Sequence, residues 1–266
     1  MIARALACFV FALAAWPFPA AAAPFVLEAT IALPGTPGRI DHLDIDIARK
    51  RLFVAEVGNG SVDIVDLDKK KTIHRISGLD EPQGIVYSPQ SDRFVVACGG
   101  DGKVMFFSGK DFSPRGMIDL GDDADDARLD TRNGYAVIGY GSGGLAIIDP
   151  SKPARLAAVP LPAHPEGFAL APSNGRAYVN VPGAREIDVV DLGARKRMTA
   201  WAIPHLSANF PIALDESGHA AIAFRSPAKI ALYDIASGQI LTASDTCGDA
   251  DDIFFDAKRR RFYVSC

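Results

Sequence analysis

Beyond its first two dozen residues the chain has no apolar run long enough to cross a bilayer, which takes roughly 18 residues or more. No membrane span is therefore expected. No long stretch keeps a 3.6-residue hydrophobic period either, so helices should be few. Cysteine is sparse, four in 266 residues, and none sits in a C-x-x-C-H arrangement, which excludes an attached c-type haem. The G-x-S-x-G elbow and the Walker loop are also missing, and with them the clearest signatures of serine hydrolysis and nucleotide hydrolysis. There is no basic surplus: 28 Lys and Arg stand against 32 Asp and Glu, a net charge of -4. Nucleic acid is accordingly not an expected partner.

The opening "MIARALACFVFALAAWPFPAAAAPF" has the layout of an export leader. Arg4 is its basic region, Ala5 to Ala15 its apolar region, and Ala20-Ala21-Ala22 an A-x-A cleavage site. A signal peptide over residues 1–22 and a mature domain over 23–266 follow, with a periplasmic or secreted destination.

What fills the mature chain is a repeat. "VDIVDLD", "VMFFSGK", "LAIIDPS", "IDVVDLG" and "IALYDIA" are versions of one segment. Their equivalent residues Asp66, Ser108, Asp149, Asp191 and Asp234 are spaced by 42, 41, 42 and 43 positions. Each period resolves into four short alternating segments separated by turn residues. The first reads "HLDIDI", "RLFVAE", "SVDIVDL" and "KTIHRIS". Four strands at a period of about 40–45 residues are the mark of a blade in a β-propeller. The expected fold is all-β, with four-stranded antiparallel blades, five complete and one partial. The partial one is "DDIFFD" and "RFYVSC", first and second strands with no third or fourth. At the other end "FVLEATIALPG" reads as a fourth strand arriving before any first strand, and the domain looks incomplete at its C-terminus.

The second strands "LFVAE", "FVVAC", "AYVNV" and "FYVSC" resemble the YVTN repeat of the bacterial YncE-like propellers. The resemblance covers essentially all of the mature chain and implies a propeller of seven blades. It implies little about activity, because related propellers host unlike functions.

In a propeller the loop before strand one and the loop after strand two open on one face, around the central channel. The repeat places Asp41-His42, Gln83-Gly84, Asp125-Asp126, Glu166-Gly167, Phe210-Pro211 and Asp251-Asp252 at the first position, with Asn209 just before the fifth pair. At the second position stand Glu56, Cys98, Tyr140, Asn180, Arg225 and Cys266. The candidate ligand-binding residues at this mouth are Asp41, His42, Gln83, Asp125, Asp126, Tyr140, Glu166, Asn180, Asn209, Arg225, Asp251 and Asp252. Carboxylate oxygens suit a hard cation such as Ca²⁺ or Mg²⁺. The candidate metal ligands are Asp41, His42, Asp125, Glu166 and Asp251, and His42 extends the choice to Zn²⁺ or Mn²⁺. The same acids also suit a simply solvated channel rim. Arg225 can clamp an anion or neutralise its acidic neighbours. His74, His164, His205 and His219 read as surface or loop residues, and no residue is assigned a catalytic role.

Cys247 and Cys266 flank the two strands of the last unit on one face and are expected to form a disulfide. Cys98 has no such partner. The runs Lys69-Lys70-Lys71 and Lys258-Arg259-Arg260-Arg261 fall in turns on the opposite face, where such runs are solvated and discourage edge pairing. Two functions remain open at this point. One is an exported propeller that binds a partner protein or small ligand at an acidic mouth. The other is a metal-dependent propeller hydrolase or lactonase using the same carboxylates.

Overall fold

Each four-segment period of the sequence folds into a four-stranded antiparallel meander. The structure, a computed structural model, describes residues 26–266, so the expected leader lies outside the described residues. Residues 26–30 are exposed and carry no strand, and Ile31–Cys266 form one compact unit.

The first blade comprises β1 (Leu43–Asp46), β2 (Arg51–Glu56), β3 (Ser61–Asp66) and β4 (Lys71–Ser77). The second comprises β5 (Pro82–Ser88), β6 (Arg93–Cys98), β7 (Lys103–Ser108) and β8 (Pro114–Asp119). In the third are β9 (Ala124–Asp130), β10 (Tyr135–Tyr140), β11 (Gly144–Asp149) and β12 (Ala154–Pro160). The fourth holds β13 (Phe168–Ala171), β14 (Arg176–Val181), β15 (Glu186–Asp191) and β16 (Lys196–Ala202). The fifth holds β17 (Ser207–Leu214), β18 (His219–Ser226), β19 (Ala228–Asp234) and β20 (Ile240–Asp245). A sixth sheet has two strands, β21 (Asp252–Asp256) and β22 (Arg261–Ser265). The only helical turns among the described residues are two short 3₁₀ segments, Val57–Asn59 and Pro182–Ala184.

The residue that marks the repeat has a local job. Asp66 Oδ1 accepts the Lys69 amide at 2.8 Å, Asp149 Oδ1 that of Ser151 at 2.8 Å, Asp191 Oδ1 that of Ala194 at 2.7 Å and Asp234 Oδ1 that of Ser237 at 2.7 Å. Ser108, the one exception to aspartate, accepts the Lys110 amide through Oγ at 3.2 Å. Each holds the turn between strands three and four, where the backbone would otherwise leave amides unpaired.

Between sheets, alternation does the rest. Side chains on the two faces of each strand pack against the preceding and the following blade. Phe53, Val62 and Ile64 of the first blade meet Tyr87, Phe94 and Phe107 of the second. Like clusters fill the junctions from second to third, third to fourth, fourth to fifth and fifth to sixth blades. In the fourth junction Trp201, on the outer strand β16, stacks between Tyr178 at 5.3 Å and Tyr233 at 6.0 Å. The first strands pack in sequence, β1 on β5, β5 on β9, β9 on β13, β13 on β17 and β17 on β21. No hydrophobic cluster among the described residues joins β21 to β1, and Leu43, Ile45 and Phe254 remain exposed there.

One expectation is corrected. The segment read as a fourth strand near the N-terminus forms no strand over residues 26–42. A fourth strand needs a third to pair with, and among the described residues no third strand lies beside β22. The loop at 34–39 instead packs on the first blade, where Arg75 donates to the Pro34 carbonyl and Thr36 Oγ1 to Asn59 Oδ1 at 2.9 Å.

Candidate functional site

Strand one of each blade begins at the same end of the channel, and a repeated backbone bond fixes where. The Asp41 amide donates to Ala55 at 3.0 Å, the Glu166 amide to Asn180 at 3.0 Å, and the Asp251 amide to Ser265 at 2.9 Å. Equivalent positions of the first, fourth and sixth sheets are thus pinned to the end of their own second strands. Side chains more than 200 positions apart meet as a result.

They wall a cavity of about 110 Å³. Eight of the twelve candidate residues line it: Asp41, His42, Asp125, Asp126, Glu166, Arg225, Asp251 and Asp252. Gln83, Tyr140, Asn180 and Asn209 do not. The Gln83 amide fills the space beside Gly99, and the Tyr140 ring lies against Gly144 and the core of its blade. Asn180 and Asn209 are fully buried. Asn180 Nδ2 donates to the Phe210 carbonyl at 2.8 Å, and Asn209 Nδ2 donates to Asn180 Oδ1 at 3.0 Å. They tie the fourth and fifth blades together behind the mouth.

Three guanidinium groups enter the cavity wall, Arg39 and Arg128 each on one carboxylate and Arg225 on two, Asp249 at 3.2 Å and Asp251. Arg39 Nη2 lies 2.8 Å from Asp41 Oδ2. Arg128 pairs with Asp126, whose other oxygen accepts the Phe168 amide at 3.2 Å. Arg225 Nη2 donates to Asp251 Oδ1 at 2.8 Å and its Nε to the Ala250 carbonyl at 3.1 Å, with its guanidinium 4.0 Å above the Phe210 ring. Of the two readings open for Arg225, the structure places it on its acidic neighbours. His42 Nε2 stands 3.9 Å from Asp126 and 4.0 Å from Asp41.

His164, read from sequence as an ordinary loop residue, belongs to this network. Its Nδ1 donates to the Gly141 carbonyl at 2.6 Å, and its Nε2 stands 3.8 Å from Asp125 Oδ2. No periodicity marks it, because it lies in the loop between β12 and β13. Arg39 and Arg128 were also missed. Arg128 carried a signal: it is two residues from Asp126 on one strand, and so shares its face. Of the five histidines only His42 lines the cavity itself, and His164 stands behind Asp125; His219 bonds Asp215 at 2.8 Å and His74 stacks on Phe112.

Burial and crowding shift the titrating groups. Burial pushes the Glu166 carboxyl up to about 7, with the Asp125 charge adding to it. Burial likewise raises Asp41, against the opposing pull of His42 and Arg39, and raises Asp252. The Asp125 carboxylate holds the His164 imidazole up at about 9. Chemically the mouth is a partly dehydrated, mixed-charge chamber whose carboxylates outnumber its guanidinium groups. Asp41, His42, Asp125, Glu166 and Asp251 share it, but among the described residues no three His, Cys, Asp or Glu side chains form a group suited to hold a metal ion.

The acidic loop is also tethered covalently. Cys247 and Cys266 form the expected disulfide, with Cα atoms 6.2 Å apart. Cys98 is buried and free, and burial pushes its thiol up to about 12.

No protein-family model and no curated protein matches the sequence. Among solved structures the chain is similar to Kuenenia stuttgartiensis hydrazine synthase, with a TM-score of 0.77 at 14% identity over 89% of this chain and 76% of that one. At that identity the likeness shows the fold alone: repeated four-stranded antiparallel sheets of a β-propeller.

Proposed function

We propose that this chain is an exported propeller of the YVTN-repeat kind that binds a small ligand in the polar cavity at its channel mouth and does not transform it. The observation that carries the reading is the convergence of ten ionisable side chains, drawn from five of the six sheets and the loops that precede them, on one cavity. An enclosed cavity of about 110 Å³ suits a compact polar molecule or head group better than the broad face of a protein. Its lining residues include no serine, threonine, cysteine or lysine that would act as a nucleophile. The metal-dependent hydrolase is the weaker reading, because among the described residues no three of these side chains come together as a group able to share one ion. The leader-like N-terminus and the disulfide support export.

The test is thermal melting of the purified mature chain against a panel of small anions, cations and zwitterions, beside Glu166→Gln and Arg225→Ala. A bound ligand adds about 2.7 kcal/mol of stability at a hundredfold excess over its dissociation constant, and the melting temperature keeps rising with the logarithm of its concentration. The expected result is a compound that stabilises the parent chain and loses that effect in both variants. Stabilisation that survives both substitutions unchanged would place the ligand elsewhere and end the reading.

A further inference from the structure

The polar mouth is the small end of a larger space. Behind it lies a chamber of about 790 Å³, walled by the first strands of all six sheets. Four residues, His42, Arg128, Ile212 and Asp252, wall both spaces, so the two are stacked along the channel with these side chains as the neck. Past the neck the chemistry changes. The chamber walls are largely apolar, with Leu43, Ile45, Phe168, Leu170, Leu214 and Phe254 among them. Leu43 is 47% exposed, Ile45 39% and Phe254 58%, so apolar surface of a size normally buried faces this space. The volume is in the range of sites that enclose small molecules, roughly 300–1,000 Å³.

A polar chamber joined to an apolar one fits a molecule with two unlike ends. The charge at the neck selects the polar end. Asp41, Asp126 and Asp251 are each taken up by an arginine, and Asp125 faces His164. The side-chain carboxyl groups of Glu166 and Asp252 line the mouth without a hydrogen bond or ion pair among the described residues. We propose that the channel binds an amphiphilic small molecule with a cationic head, its head against Glu166 and Asp252 in the mouth and its apolar body in the wider chamber. This rests on the mouth being a ligand site and names the class of ligand. Both carboxyl groups are held above their ordinary range, chiefly by burial, which is the condition that an incoming cation relieves. The apolar body removes water from Leu43, Ile45 and Phe254, exposed side chains that line the chamber.

The experiment is isothermal titration of the purified mature chain with tetramethylammonium, hexyltrimethylammonium and decyltrimethylammonium, and with decyl sulfate, all below their micelle concentrations. Affinity should rise by about fourfold per methylene from the short to the long cation, and decyl sulfate should bind at least tenfold more weakly than decyltrimethylammonium. Phe254→Asn and Ile45→Asn replace partly exposed side chains and should flatten the dependence on tail length. Glu166→Gln should weaken every cation. Equal affinity for the three cations overturns the amphiphile while leaving the mouth as a site. Equal affinity for the sulfate overturns the cationic head. No binding of any probe overturns the inference outright, and the mouth is then judged by its own panel. Tail-dependent binding untouched by Phe254→Asn and Ile45→Asn places the tail on another surface and overturns it as well.

Discussion

His164 Nε2 stands 3.8 Å from Asp125 Oδ2, while the opposite ring nitrogen donates to the Gly141 carbonyl at 2.6 Å. The imidazole therefore bridges two loops of the mouth and is held near pH 9 by the Asp125 carboxylate. A histidine whose folded value lies above its unfolded one stabilises the protein fully below about 6.5, and that contribution fades as pH rises through 9. His164→Gln should thus lower stability at pH 6 by on the order of 2 kcal/mol, with no difference left near pH 10. Melting curves of the two proteins between pH 5 and pH 10 check this, and a pH-independent gap would refute the assignment.

Glu166 should show the opposite sign. Its carboxyl titrates at about 7 in the folded chain, so the ionised form opposes folding. That penalty is absent below about 4.5, grows through pH 7 and is complete above it. Glu166→Gln should therefore raise stability at pH 8, by on the order of 2 kcal/mol, and change little at pH 4. Urea unfolding at the two pH values decides the matter, and a variant less stable at pH 8 would show that the carboxylate is compensated.

Most of this fold can be read from strand alternation and a period near 42 residues, because each blade repeats one local problem of turns and two-faced packing. Asp66, Asp149, Asp191 and Asp234 are repetitive for a local reason, the amides of their turns, and so register in the sequence. The mouth is only half legible. Asp41, Glu166 and Asp251 follow from the repeat, but Asn180 and Asn209 turn away because inter-blade carbonyls need donors. His164 lies in a loop whose path is set by three-dimensional closure, for which one-dimensional spacing has no counterpart.

Arg75 bridges two buried acids. Its Nε and Nη2 donate to Asp63 at 2.8 Å each, and Nη2 also reaches Glu56 at 2.5 Å. Asp63 is completely buried and Glu56 nearly so. Arg75→Leu leaves both without their counterion and should cost about 3 kcal/mol or more. Adding Asp63→Asn should recover part of that loss, since the uncompensated charge goes with it. The blade four counterpart, Arg197 with Asp188 and Glu186, should respond in the same way. Denaturant midpoints at constant slope are the readout, and an additive double variant would show that the pair is not coupled.

The disulfide between Cys247 and Cys266 closes a loop of 19 residues around β21 and β22. That sheet has two strands where the others have four, and it packs on the fifth blade through the small cluster of Ala221, Ala223, Ala250 and Ile253. Its local stability therefore depends on the cross-link more than that of any complete blade would. Loop-closure entropy for a ring of this size contributes about 3 kcal/mol. Replacing both cysteines by serine should speed amide exchange in β21 and β22 by about 100-fold, because the hairpin opens on its own. Amides of β14, inside a complete blade, should keep their protection. The loop carrying Asp249, Asp251 and Asp252 would then be held chiefly by Arg225, so Arg225→Ala should perturb the mouth more in the serine variant than in the parent. Exchange that rises equally in β14 and β22 would mean that the cross-link supports the whole ring. Unchanged exchange in β22 would mean that strand pairing and the Ile253 contacts suffice without it.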